Sequence, residues 1–177
     1  MRKQAYLDLY NASNKNASAL LRAGELLCDK GYFSQAYVLG FSALEEIAKG
    51  QFAADVYTGL KTEEDFRSFF KDHAKKIANA GWAHEDASRY PYNLKWVGPD
   101  MDDVEKMTPM APLFAKRQKA LYVDVDFEGG SISEPGGAIT EKDARDILHV
   151  VDVALQRIWE ITGEFGGMQI GTKGFMK

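Results

Sequence analysis

Two places in this sequence set ionisable side chains where apolar ones are expected. The first is the stretch from Phe33 to Ala54, whose only charged residues are Glu45, Glu46 and Lys49. Its remaining residues are apolar on nearly every helical face, so at least one of the two carboxylates must be substantially buried. A buried carboxylate needs a partner or changes its protonation. Lys49 stands three and four residues on, within helical reach of either. The second place is the aromatic stripe Phe66, Phe69, Phe70, His73 and Ile77, in which His73 occupies an apolar position with Lys76 one turn later. If the two segments pack antiparallel, an acid–lysine pair faces a histidine–lysine pair. Coupled titratable groups in a partly dry setting are the raw material of proton-transfer chemistry. They also make ordinary structural networks, and both readings stand at this point.

The elements that would position these groups are helical. Tyr6, Tyr10, Ala17, Leu20, Gly24 and Leu27 form one stripe over residues 3–29, closed by Gly31. Residues 32–57 read as a central helix covered on several sides, with Ala36, Gly40, Ala43 and Ala48 permitting close approach. Thr62 followed by Asp65 signals a capping box, opening a third helix that should end before Gly81. Thr140 with Asp143 starts a last helix whose stripe is Ile147, Val151, Ala154, Ile158, Ile161 and Phe165.

Between the third and last helices the pattern changes. Residues 82–107, with Pro91, Pro99 and the acids Asp100, Asp102 and Asp103, read as an insertion, and 109–120 as a short helix. Residues 121–127 alternate, with Val123, Val125 and Phe127 on one side, and the Gly129-Gly130 pair follows as a turn. Residues 166–177 read as a flexible, glycine-rich tail. The expected fold is all-α: one domain over 1–165, built as a bundle of four main helices with a small β excursion near 121–133.

Composition sets outer bounds. The chain has 177 residues, 45% hydrophobic and 27% charged, which excludes a disordered or disulfide-dense class. A net charge of −4 argues against a broad nucleic-acid groove, though not against a small local site. The single Cys28 and the polar stretch at 11–16, in place of an apolar signal core, point to a reducing, cytoplasmic setting. No apolar run is long enough to span a membrane. Asp146 and His149 have metal-ligand spacing, but a di-iron bundle needs two such pairs, so they read as solvated surface. Asp124 and Asp126 share a strand face, His84 sits by Glu85 without a ligand pattern, and Cys28 lacks an activating neighbour in sequence. No metal or other cofactor is expected.

Three motifs in order carry a family resemblance over most of the chain from Asn16 onward. The stretch 16–50, with its Gly31-Tyr32 linker and Glu45-Glu46-Ile47-Ala48-Lys49, resembles AbiV-type abortive infection proteins, a branch of the HEPN superfamily. Glycine is common in that family where Ala48 stands here. Phe70, His73 and Lys76 match its Phe-x-x-His-x-x-Lys feature, and Leu121 to Asp124, after Arg117 and Lys119, match a third. The resemblance implies a HEPN-like bundle acting in phage defence on RNA or translation, as a homodimer, with a phage-encoded protein as activator.

Catalytic members of that superfamily carry an arginine followed by four to six residues and a histidine, and Arg67 and His73, with five between, fit. The resemblance therefore implies metal-independent RNA cleavage. His73 would move protons around attack of a 2′-hydroxyl on phosphate, and Arg67 would hold that phosphate. Glu45 or Glu46 would orient His73, and Lys49 and Lys76 would balance charge. On one continuous helix, Arg67 and His73 would lie about 120° apart, so a second chain would have to help gather the phosphate. The rival expectation is a non-catalytic interaction module that binds a phage or host protein, with the same cluster holding two helices in register. A metal-dependent bundle enzyme is a third.

Overall fold

The computed structural model describes residues 3–73, 76 and 111–162. The insertion expected at 82–107 and the tail at 166–177 lie outside the described residues, as do Ile77, His84 and Phe165. The order is α1 (Lys3–Asp29), α2 (Phe33–Thr58), α3 (Glu63–Phe70), α4 (Ala111–Leu121), β1 (Asp124–Val125), β2 (Ile132–Ser133), α5 (Pro135–Ala138) and α6 (Glu141–Thr162). The fold is all-α, with one two-stranded antiparallel sheet.

Helix α1 buries Tyr6, Tyr10, Ser13, Ala17, Leu21, Gly24 and Cys28, a stripe at three- and four-residue steps. Leu20 and Leu27, expected in that stripe, are only partly buried beside it. The α1 helix ends in a turn where Tyr32 N–H bonds to Leu27 C=O and Gly31 N–H to Cys28 C=O. Gly59 ends α2 in the same way at φ +85°, a conformation that suits glycine.

Helix α2 is the central element. Thirteen of its residues are buried, from Ser34 to Ala54. One core joins it to α1, α4 and α6 around Phe41, Leu44, Ile47, Ile147 and Val151. Gly40 lets α6 approach closely, since a Cβ there would stand 2.8 Å from Ile147 Cγ2. A second, smaller core lies where the end of α2 meets α3 and the start of α1. It holds Tyr6, Ala48, Phe52, Ala53, Phe66 and Phe69. Its rings interlock, with Phe52 stacked on Phe69 at 4.2 Å and Tyr6 edge-on to Phe66 at 5.5 Å.

Both capping boxes form. Thr62 Oγ1 accepts from Asp65 N–H, and Asp65 accepts from Thr62 N–H at 2.9 Å. Bonds donated by the Thr62 N–H and the Thr62 hydroxyl to its ionised form hold the Asp65 carboxyl below its ordinary range. Thr140 and Asp143 repeat the arrangement at the start of α6. Burial pushes the Asp143 carboxyl up, but bonds from Lys116 and Thr140 outweigh this and hold it low.

Two expectations are corrected. Helix α3 does not run on through His73. It stops at Phe70, and Asp72 N–H bonds back to Phe69 C=O in a tight turn. Asp72 C=O then accepts from Lys76 N–H, so His73 and Lys76 sit in a new helical turn. Asp72 stands where that turn's N-cap would, a position the residue favours. The alternating stretch at 121–127 also departs from a half-buried strand. Its paired part is two residues long, and every residue from 121 to 134 is exposed, Phe127 at 94%.

Candidate functional site

The break after α3 decides where the candidate residues meet. Phe66 and Phe69 anchor α3 in the aromatic core against α2, and the turn at Lys71 and Asp72 redirects the chain. His73 is thereby delivered to the polar patch of α2. Its Nδ1 hydrogen-bonds Glu45 Oε1. The Glu45 side chain is 13% exposed and the His73 side chain 53%. A mostly buried carboxylate thus grips one ring nitrogen of an imidazole that still faces solvent. With Nδ1 engaged, Nε2 is the nitrogen available to a ligand or a proton.

The neighbouring carboxylate takes the lysine. Lys49 Nζ lies 2.5 Å from Glu46 Oε1, and both side chains are largely buried. Glu45 and Glu46 therefore divide their work, Glu46 to Lys49 and Glu45 to His73. Lys49 Nζ also lies 5.8 Å from the centre of the Phe70 ring, and Lys76 Nζ 5.3 Å from it. Phe70 thus links the α2 pair to the turn that carries His73.

Arg67 is placed differently. It is exposed on α3, and its Nη2 donates to Glu63 Oε1 at 2.6 Å, with Nε 3.2 Å from the same oxygen. This bond to a carboxylate raises the Arg67 pKa above its ordinary value. Of the six residues expected at the site, the structure gathers Glu45, Glu46, Lys49, His73 and Lys76 around one face, while the bonds of Arg67 run to Glu63. The 120° separation of Arg67 and His73 no longer applies, because the two are not on one continuous helix.

Residues 5–156 match the family model HEPN_AbiV, described as AbiV. The chain belongs to the AbiV family of HEPN proteins. Membership points to abortive-infection defence. No curated protein and no solved structure matches this AbiV-family chain.

The other ionisable groups are placed as follows. Among the described residues, no cluster of three or more His, Cys, Asp or Glu side chains could hold a metal ion. Asp146 accepts from Lys142 at 2.6 Å. His149, expected on solvated surface, is half-buried, with Nε2 shielded from water. Burial raises the Cys28 thiol, so it is a structural group rather than an activated one. Among the described residues, no helix is long and apolar enough to cross a membrane.

Sequence reasoning missed two features. Glu63 as the partner of Arg67 was visible as an i,i+4 acid–base pair. The half-exposed Phe70 ring, bracketed by two lysines, carried no such signal, because its stripe position suggested burial with Phe66 and Phe69.

Proposed function

We propose that this AbiV-family protein acts in abortive infection by cleaving RNA without a metal, using His73 as the proton-transfer residue. The observation that carries the reading is the Glu45–His73 hydrogen bond, in which a shielded carboxylate orients a solvent-facing imidazole. In this chemistry Nε2 takes the proton from a ribose 2′-hydroxyl. The oxygen attacks the adjacent phosphorus, and the bond to the 5′ oxygen breaks. The departing oxygen takes a proton from a water molecule and His73 returns its own to the solvent, leaving a cyclic phosphate and a 5′-hydroxyl. Glu45 is a positioning residue that fixes the orientation of the ring. Lys76 supplies positive charge beside it, while Lys49 balances the charge of Glu46. Arg67 would join by exchanging Glu63 for a phosphate, in a homodimer whose second chain helps to close the site.

The test is incubation of the purified protein with total tRNA and rRNA in EDTA, beside His73→Ala and Glu45→Gln. Cleavage by the wild type, lost in His73→Ala and strongly reduced in Glu45→Gln, supports the reading. No cleavage under any condition, including with phage lysate as a source of activator, overturns it. A second reading is favoured by the engagement of Arg67 with Glu63. In it the chain is a non-catalytic module that binds a phage or host protein, and the cluster only keeps α2 and the following turn in register. Toxicity retained by His73→Ala in cells supports that alternative.

A further inference from the structure

Three phenylalanines close together on α3 meet different fates. Phe66 and Phe69 are buried in the aromatic core, whereas Phe70 is 45% exposed. Its ring is anchored from behind, 5.7 Å from Phe66. A single exposed phenyl is unremarkable on a protein surface. This one differs because two ammonium groups converge on it, Lys49 at 5.8 Å and Lys76 at 5.3 Å, and it stays open to solvent with both in place. Lys49 lies one turn beyond Glu45 on α2, and Lys76 one turn beyond His73. The ring, both cations and the imidazole therefore belong to one face.

A rigid aromatic surface flanked by cations suits a ligand with a flat π-system between anions. A nucleotide in an unpaired strand has that form, since its base can stack while the phosphates on either side meet the charges. We propose that Phe70 is the stacking platform for an unpaired nucleobase beside the Glu45–His73 pair, with Lys76 reaching a flanking phosphate and Lys49, held by Glu46, bracing the ring from the α2 side. The inference rests on the RNA reading above and deepens it. Bases in a duplex have both faces occupied by their neighbours, so this platform selects single-stranded RNA, loops and ends. It also explains how a chain of net charge −4 engages RNA at all, with stacking supplying what a broad basic groove would otherwise provide.

The test measures binding by fluorescence anisotropy of three labelled oligomers. One is a short 2′-O-methyl oligouridine, which cannot undergo 2′-hydroxyl cleavage. The second is an abasic ribose-phosphate oligomer of equal length, and the third a duplex. The wild type is expected to prefer the base-bearing single strand. Phe70→Ala weakens that complex about tenfold and binds the abasic oligomer as the wild type does. Phe70→Tyr, which keeps a flat ring, retains the preference. Lys76→Met weakens both single strands alike. Circular dichroism of each variant checks that the helices persist. Equal affinity of Phe70→Ala and wild type for oligouridine overturns the platform, and so does a wild type indifferent to the missing bases. If cleavage of natural RNA survives either result, the platform alone has failed. If the wild type neither binds nor cleaves RNA, the RNA reading itself has failed.

Discussion

Glu45 and His73 are 28 residues apart in sequence and hydrogen-bonded in the fold, the carboxylate shielded and the imidazole half open. The asymmetry predicts unequal effects of removing either partner. His73→Ala leaves a mostly buried carboxylate without its bond, at a cost of about 1–3 kcal/mol. Glu45→Gln leaves an imidazole that water can solvate, so the loss is smaller. Urea denaturation of both single variants and the double variant should give a coupling near 1 kcal/mol. Additive effects would mean that the contact does not hold the turn against α2.

Phe69 and Phe70 are adjacent yet should respond differently to truncation. Phe69 is 3% exposed and stacks on Phe52, and its loss opens a cavity between α2 and α3. Phe69→Ala is expected to cost about 3–5 kcal/mol, in the range for a buried phenyl. Phe70→Ala should cost about 1 kcal/mol, because much of its ring already meets water. Thermal melts of the two variants give the comparison. Equal shifts would contradict the division between anchor and exposed face.

Much of this fold is legible in the sequence because local signals and tertiary structure agree. Thr62 with Asp65 and Thr140 with Asp143 read as helix starts, and Gly31 as a stop, for reasons contained in a few residues. The break at Asp72 was hidden because Phe66, Phe69, Phe70 and His73 keep helical spacing across it. Periodicity reports which face a residue belongs to, not whether the backbone stays continuous. The alternation of Val123, Val125 and Phe127 marked a hairpin, yet all three side chains are exposed, so the usual inference from alternation to a buried face failed. At the site, the ambiguity between Glu45 and Glu46 is one of azimuth, since adjacent helical residues differ by about 100° around the axis and only about 1.5 Å along it. Which acid meets His73 depends on the side of α2 on which the turn after α3 lands, and no one-dimensional pattern records that.

Asp55 makes stability depend on pH in a direction opposite to most carboxylates. Burial raises its pKa to about 6 from an ordinary 3.8, with the charge of Lys61 opposing. The folded state therefore holds this proton more tightly than the unfolded chain does. Its contribution is full below about pH 4 and is lost as pH rises through about 6. A shift of that size corresponds to about 3 kcal/mol for a fully shielded group. Asp55 is only half-buried, and solvent screening leaves about 1 kcal/mol. Asp55→Asn should flatten the fall between pH 4 and 6 and raise stability at pH 7. Urea melts across this range check the sign. A wild-type curve that rises there with the same slope as Asp55→Asn would refute it.

Glu63 holds Arg67 by two hydrogen bonds on the open surface of α3, so the acid competes with any phosphate for that guanidinium. If Arg67 contacts RNA, Glu63→Gln should strengthen binding of single-stranded RNA several-fold by removing the competing charge. It should also steepen the salt dependence, because each added phosphate contact on a single strand changes the log–log slope by about 0.7. Arg67→Ala should remove both gains when combined with Glu63→Gln. The same double variant separates specific release of Arg67 from a general loss of negative charge, which would persist without the arginine. Binding isotherms between 50 and 200 mM salt, about the range where such slopes are measured, decide the matter. An unchanged slope in Glu63→Gln would leave Arg67 as the partner of a surface carboxylate and favour the non-catalytic reading of this AbiV-family chain.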